Sequence, residues 1–90
     1  MPRQIYRVHS TSDFEKSFRK LPAIIQDLAE KKHKLFHIDA FDPCLHTHKL
    51  KGELEGFWAY SVNYQYRIMF KFIDDNTVLY YDIGTHDIYR

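Results

Sequence analysis

Apolar and polar side chains alternate most regularly in the C-terminal half of the chain. A period of two is typical of β-strands, because successive side chains point to opposite faces of a sheet. The alternation predicts strands at residues 57–62, 66–72 and 77–83, separated by a turn near residues 63–65 and by the cluster Asp74-Asp75-Asn76. Three consecutive strands joined by short turns form an antiparallel meander, which is the centre of the predicted fold.

Counting by two also assigns each side chain of the meander to a face of the sheet. The face expected to be covered carries Trp58, Tyr60, Val62, Tyr66, Ile68, Phe70, Phe72, Leu79, Tyr81 and Ile83. The opposite face carries Ser61, Arg67, Met69 and Lys71. Continued past the last strand, the same count brings His86 to the side of Arg67.

The N-terminal half shows helical spacing instead. After a β-prone run at residues 4–9, the S-x-x-E pattern that starts at Ser12 predicts the first turn of a helix, with the serine hydroxyl as its cap. Pro22 ends this helix and suits the first turn of a second one, whose apolar residues continue to residue 36. Residues 39–47 follow neither period and form the predicted long loop.

These elements together predict an α+β fold. We expect a small antiparallel sheet with an N-terminal strand, a two-helix hairpin on one face and a C-terminal three-strand meander. A chain of 90 residues supports one hydrophobic core, and no repeat or Gly/Ser linker interrupts it, so residues 1–90 are expected to form a single domain. The face that carries Arg67 should stay partly open.

Composition limits the location and the partners of the protein. A single cysteine, Cys44, excludes an internal disulfide framework, and neither a leader-like segment nor a long apolar run occurs, so we expect a soluble cytoplasmic protein. Thirteen Lys and Arg against twelve Asp and Glu give a net charge of +1. That balance excludes coating of nucleic acid by bulk charge, so any contact with nucleic acid must be local.

Arg67 and His86 are the first candidates for chemistry. A guanidinium can hold a phosphate through two oxygens and stabilise the charge that develops during transfer, whereas the alternative for Arg67 is a surface ion pair with Asp82 or Glu55. The imidazole of His86 suits general acid or base catalysis near neutral pH, and its alternative is a solvated tail residue. The basic run at residues 30–34 is either the solvated face of the second helix or a phosphate contact.

The His46-Thr47-His48 segment allows three interpretations. Both imidazoles can chelate zinc with a third ligand from Cys44, Asp42 or Asp39. Alternatively, one of the histidines, or Lys49, reaches the open face as a proton-transfer or phosphate-contacting group. The third interpretation is an ordinary polar loop.

Tyr89 is a further candidate because no alternating pattern buries it. It lies three residues past His86 and can stack against a base or donate its hydroxyl at the site. The remaining tyrosines and Trp58 are expected in or near the core.

Four segments in a fixed order resemble a known family. They are Leu50-Lys51-Gly52-Glu53-Leu54-Glu55-Gly56-Phe57-Trp58, then Tyr66-Arg67-Ile68, then Asp74-Asp75, and finally Asp82-Ile83-Gly84-Thr85-His86-Asp87-Ile88-Tyr89. Together they resemble the RelE/ParE superfamily of bacterial toxin–antitoxin toxins, in particular its YoeB, HigB and YafQ type. The resemblance covers nearly the whole chain and implies the same β-α-α-β-β-β order.

The resemblance implies a ribosome-dependent mRNA endonuclease in which a ribose 2′-hydroxyl attacks the adjacent phosphate, with no metal or other cofactor. Its implied partners are a cognate antitoxin, the ribosome and mRNA. By position, Arg67 matches the strand arginine that contacts the scissile phosphate, His86 matches the general acid, and His48 falls where the base is proposed. Tyr89 falls near a terminal aromatic of some members, and the remaining candidate substrate contacts are Lys49, Lys51 and Lys71.

The chain also departs from the family pattern. Ala59 and Ser61 stand where many active members carry Arg or Lys, which implies a weaker grip on ribosomal RNA. ParE-like members share the fold but poison DNA gyrase without this nuclease site. A gyrase inhibitor, or an inactive homologue that only binds its antitoxin, is therefore the alternative to the nuclease.

Overall fold

The computed structural model describes residues 2–89. Its helices are α1 (Ser12–Arg19) and α2 (Ala23–Ile38), and its strands are β1 (Arg7–Ser10), β2 (His48–Lys49), β3 (Trp58–Ser61), β4 (Arg67–Asp74) and β5 (Thr77–Gly84). Short 3₁₀ helices lie at Pro43–Leu45, Gly52–Leu54 and His86–Tyr89. This element order confirms the predicted α+β fold, including the helix pair and the three-strand meander.

The sheet has five strands in the order β1-β5-β4-β3-β2. The pairs from β2 to β5 are antiparallel, whereas β1 pairs with β5 in parallel. The sheet is therefore mixed, not purely antiparallel as expected, and β2 is an additional strand. Neither feature has a local signal, because β2 is too short to show a period and the partner of β1 lies 70 positions later in the chain.

The first helix begins at Ser12 as predicted, but the capping residue is Thr11. Thr11 Oγ1 accepts a hydrogen bond from the amide of Phe14 at 3.0 Å and donates to the carbonyl of Tyr81 at 2.8 Å. Glu15, which was expected to reach back to the helix start, instead accepts a bond from Ser10 Oγ at 3.2 Å. Thr11, and not Ser12, is thus the capping residue, and its hydroxyl joins the start of the helix to β5 through these two hydrogen bonds.

The helices cover one face of the sheet. Phe36 of α2 stacks on Tyr60 with ring centroids 4.7 Å apart and meets Phe70 edge-on at 5.0 Å. The buried core includes Ile5, Ala29, Phe36, Ala40, Leu45, Tyr60, Val62, Ile68, Phe70, Val78, Tyr80 and Ile83. The predicted core faces of β3 and β4 are thus confirmed. Within residues 2–89, neither helix is long and apolar enough to cross a bilayer.

The predicted core face of β5 is wrong for most of the strand. Val78 and Tyr80 are buried beneath the helices, whereas Tyr81 packs edge-on against Phe57 at 4.7 Å on the other face. The cause is a β-bulge, since Phe70 pairs with Tyr80 and Met69 pairs with Asp82, which leaves Tyr81 as an extra residue. The bulge reverses the side-chain alternation, and Ile83 therefore returns to the core as predicted.

A chain of hydrogen bonds crosses this core. Tyr60 Oη lies 2.8 Å from Tyr80 Oη, and Tyr80 Oη lies 2.9 Å from His33 Nδ1. On the other side of its ring, His33 Nε2 lies 3.2 Å from His37 Nε2. His37 Nδ1 lies 2.6 Å from the carbonyl oxygen of Ile5. A carbonyl only accepts, so His37 Nδ1 donates to it. With both imidazoles neutral, His33 Nε2 donates to His37, Tyr80 donates to His33 and Tyr60 donates to Tyr80.

Candidate active site

Arg67 opens β4 on the face of the sheet that the helices do not cover. It is paired with Ser61 on β3 and with Gly84 on β5, so it lies in the middle of three strands. The Asn63 side chain fixes the preceding turn, because its Oδ1 accepts bonds from the amides of Gln65 and Tyr66 at 2.9 and 2.7 Å. The position of the half-buried guanidinium is therefore set by backbone pairing on both sides.

Gly84 lets the C-terminal turn fold back toward Arg67. A β-carbon at Gly84 would lie 2.8 Å from Cγ2 of Ile88, which is closer than two carbons approach without displacement. The missing side chain leaves room for the 3₁₀ helix His86–Tyr89 to follow β5 immediately. This turn supplies both His86 and Tyr89 to the neighbourhood of Arg67.

Arg67 and His86, which the sequence predicts on one side of the sheet, are in direct contact. Arg67 Nη1 lies 3.3 Å from Nδ1 and 3.2 Å from Nε2 of the imidazole. Nearly equal distances to both ring nitrogens place Nη1 over the ring face and not on the lone pair of one nitrogen. The remaining donors of the guanidinium are thus left for another acceptor.

Tyr89 completes a small cluster with these two residues. Its ring meets His86 at 6.1 Å between centroids. Burial raises the pKa of the Tyr89 hydroxyl, and the neighbouring Arg67 charge opposes that rise. Among residues 2–89, Tyr89 Oη and Arg67 Nε are shielded from solvent and form no hydrogen bond of good geometry. A ligand in front of the cluster would therefore meet the outer nitrogens of the guanidinium and the imidazole, and not these two atoms.

A cleft of about 780 Å³ opens beside this cluster. Its walls are Lys32 of α2, Cys44 and His46 of the following loop, residues 61–65 around the β3–β4 turn, and Thr85, together with Arg67 and His86. None of the described lining residues is Asp or Glu. Two permanent cations and two histidines without a carboxylate give the cleft a field that favours anions, although the chain as a whole is nearly neutral.

Comparison with known proteins identifies the family of this chain. A family model described as RelE-like toxin of type II toxin–antitoxin system HigB matches residues 4–86. The chain belongs to this family. A search among curated proteins gives no significant match.

Several solved structures share the fold of this HigB-like chain. A YoeB/ParE toxin from Agrobacterium tumefaciens superposes with a TM-score of 0.75 at 12% identity, over 90% of this chain and 99% of that one. YafQ from Escherichia coli superposes with a TM-score of 0.72 at 14% identity, over 96% of this chain and 98% of that one. A chain of the toxin–antitoxin complex RelBE2 from Mycobacterium tuberculosis superposes with a TM-score of 0.69 at 21% identity, over 91% of this chain and 99% of that one. At these identities the likeness shows the fold alone.

The structure places His46, not His48, in the wall of the cleft. His48 lies on β2 opposite Ala59, in the row of the sheet next to Arg67 and about 10 Å across from β4. It is exposed, and its Nδ1 donates to the carbonyl of His46 at 2.9 Å. His46 adopts a left-handed backbone with φ of 52°, which turns the loop at this point. Both residues remain candidates for proton transfer, and His46 is nearer to the candidate site.

The lysines singled out from the sequence lie outside the cleft. Lys49 Nζ sits 5.5 Å from the ring of Trp58, and Lys71 Nζ sits 5.7 Å from the ring of Phe57. Lys49 and Lys51 line a separate groove of about 630 Å³ along β2 and β3. Lys32 instead reaches the cleft, and its only sequence signal is its place in the basic run at residues 30–34.

Two alternatives for these residues are not supported. Between described residues, Arg67 forms no ion pair with Asp82 or Glu55. Within residues 2–89, no three His, Cys, Asp or Glu side chains come together in a way that could hold a metal ion, so a zinc site at His46 and His48 has no third ligand.

Proposed function

We propose that this HigB-like chain is a type II toxin that cleaves ribosome-bound mRNA without a metal ion. The observation that supports this most directly is the Arg67–His86 contact in the wall of a cleft whose lining, among residues 2–89, includes cations and no carboxylate. A phosphodiester is the anion that such a site suits in a chain whose net charge is too small for general nucleic-acid binding.

The reaction needs a base, a cation and an acid. A base removes the proton from a ribose 2′-hydroxyl, whose oxygen then forms a bond to the adjacent phosphorus. The bond from phosphorus to the 5′-oxygen of the next nucleotide breaks, which leaves a 2′,3′-cyclic phosphate and a 5′-hydroxyl. Arg67 stabilises the charge on the phosphate oxygens, and protonated His86 donates to the leaving 5′-oxygen.

His46 is the base that the geometry favours, because it lines the cleft, whereas His48 is the position that family resemblance implies. Tyr89 supports the Arg67–His86 pair from behind, because its ring packs against His86 and its hydroxyl lies next to Arg67, shielded from solvent. Lys32 adds positive charge to the lining of the cleft. Lys49, Lys51 and Lys71 lie outside the cleft and can contact RNA only beyond the reacting nucleotides.

An antitoxin is the proposed protein partner. The RelBE2 structure of the same fold is a toxin–antitoxin complex, which supports a similar partner for this chain. The uncovered face of the sheet, with the cleft at one end, is the surface that such a partner would have to cover. The place of action is the ribosome in the cytoplasm.

Cleavage of a defined message in a reconstituted translation system tests this function. The purified protein should cut ribosome-bound mRNA and leave a 2′,3′-cyclic phosphate, and Arg67→Ala and His86→Ala should abolish cutting. The exposed residues Arg19 and His9 offer matched controls, so Arg19→Ala and His9→Ala should keep full activity. Uncut message together with trapped DNA gyrase would instead favour a ParE-like inhibitor, and activity that survives both site substitutions would refute the proposed site.

A further inference from the structure

Tyr64 is an aromatic side chain that the fold leaves almost entirely in water. It lies at the tip of the β3–β4 turn with 95% of its surface exposed. The same residue lines the wall of the cleft that contains Arg67 and His86. Packing within the chain gives no reason for a large ring at this position.

The backbone beneath Tyr64 is nevertheless well fixed. Asn63 Oδ1 accepts bonds from the amides of Gln65 and Tyr66, and the amide of Val62 donates to the carbonyl of Tyr66 at 2.8 Å. A ring carried on a fixed turn loses little further freedom when another flat group packs against it. The turn is thus suited to present the ring as a stacking surface.

Chain length places this ring close to the reacting phosphate. Tyr64 precedes Arg67 by three residues, which span at most about 11 Å of chain. A nucleotide whose phosphate contacts Arg67 therefore has its base, or that of its neighbour, within reach of the turn. Gln65 is exposed in the same wall and carries both donors and an acceptor on its amide.

Resting on the proposed nuclease function, we propose that Tyr64 and Gln65 recognise a base of the RNA. Tyr64 stacks on the base next to the scissile phosphate, and Gln65 hydrogen-bonds to its edge. Unstacked bases of single-stranded RNA are commonly held in this way, by an aromatic face together with polar groups that contact the base edge. The pair would then determine which nucleotide is cut, while Arg67 and His86 perform the chemistry.

The surroundings of Tyr64 favour RNA over a protein partner. Its sequence neighbours Asn63 and Gln65 are polar, so the ring stands alone and not within the apolar patch that a protein interface requires. The other walls of the cleft carry Lys32 and Arg67, which attract a polyanion. Tyr89 is less available for stacking, because its ring packs against His86.

The test measures RNA binding separately from cleavage. Binding uses a labelled single-stranded RNA whose 2′-hydroxyls are methylated, so that it cannot be cut, and cleavage uses programmed ribosomes. Tyr64→Ala should weaken RNA binding and raise KM by roughly 5- to 150-fold with kcat little changed, whereas Tyr64→Phe should resemble the wild type. Tyr6→Ala, which removes another exposed ring far from the cleft, is the control and should have no effect.

The outcomes separate this inference from the proposed function. If the wild type binds the methylated RNA through Tyr64 but cuts no message, the nuclease assignment fails and the base contact stands. Cleavage with an unchanged KM in Tyr64→Ala overturns the base contact and leaves the nuclease intact. Gln65→Ala should alter the preference among the four bases, and an unaltered preference would remove Gln65 from the proposal. Loss of antitoxin binding alone in Tyr64→Ala would reassign the ring to protein docking and overturn the inference.

Discussion

Arg67 and Gly84 face each other directly across β4 and β5. This pairing places Arg67 next to the last residue of β5, after which the chain turns into the 3₁₀ helix that begins at His86. The contact between Arg67 and His86 therefore depends on a residue that has no side chain.

A methyl group at Gly84 should lower the cleavage rate strongly and the thermal stability only slightly. In Gly84→Ala the new β-carbon would lie 2.8 Å from Ile88 Cγ2, so either the Ile88 side chain or the turn that carries His86 must shift. A displacement of this kind can cost about 100-fold in rate, and we expect cleavage to fall to that extent with a small change in Tm. The double variant Gly84→Ala with Ile88→Ala removes the clash and should restore activity. Failure of that rescue would mean that the glycine acts in some other way.

Arg67→Lys should keep the charge and lose most of the activity. The planar guanidinium offers fixed donors to two phosphate oxygens, whereas an ammonium group offers a single point charge. Loss of one well-placed donor to a transition-state anion costs about 100- to 1,000-fold in kcat. Measured kcat of ribosome-bound cleavage should fall by that factor while thermal unfolding stays unchanged. Wild-type kcat in Arg67→Lys would show that charge alone is sufficient.

Two single variants can identify the general base of the proposed cleavage reaction. Because His46 lines the cleft, His46→Ala should lower kcat by about 100- to 10,000-fold, which is the usual contribution of a general base. It should also remove the limb of the pH–rate profile that rises with pH. His48→Ala should keep that limb. The reverse pattern would assign the base to His48.

Stability should fall on acidification because of His33. Burial, and secondarily the charge of His37, lowers the pKa of His33 below its ordinary value of 6.5. Below that value the unfolded chain binds more protons than the folded one, so the free energy of unfolding rises with pH in this range. The contribution of neutral His33 to the free energy of unfolding is complete above about pH 6.5. It is lost as the pH falls toward the lower pKa that His33 has in the folded chain.

Urea unfolding between pH 5 and pH 8 measures this effect. The groups around His33 are His37 and Glu30 of the same helix, Ser10 of β1 and Tyr80 of β5. His33→Gln should flatten the pH dependence, while substitution of the exposed His9 by Gln should preserve it. Equal slopes for wild type and His33→Gln would show that another group titrates.

Thr11 should contribute more to stability than its neighbour Ser12. Thr11→Ala removes the helix cap and the bond to the Tyr81 carbonyl, so we expect a loss of about 1–2 kcal/mol in the free energy of unfolding. Thr11→Ser keeps the hydroxyl and should lose much less. Ser12→Ala is the matched control, and an equal loss there would contradict the assignment of the cap.

Local patterns were sufficient for most of the fold. Period two located the meander and the core side chains of β3 and β4, because these two strands pair in continuous register, with residues 58–61 opposite residues 67–70. It failed at β5, where the extra residue Tyr81 reverses the alternation. A bulge of this kind is set by how two strands fit together, and neither strand carries a signal for it by itself.

The same distinction applies to the site. Arg67 and His86 were predicted on one side of the sheet because the alternation of β5 agrees with the prediction again from Ile83 onward, past the bulge. His46 and Lys32 reach the cleft from a loop and a helix, and their approach depends on tertiary packing that no periodicity records. Tyr64 was missed because seven tyrosines in an aromatic-rich chain made burial the expected state of each.

The parallel pairing of β1 with β5 also determines when the sheet can be completed during synthesis of the chain. Arg7 pairs with Thr77, 70 positions later, so the two strands can meet only after residues 77–80 have left the ribosome. Contacts so distant in sequence form slowly and late in folding. A chain interrupted before residue 77 has no partner for its first strand and lacks His86, so incomplete translation products should be harmless to the cell that makes them.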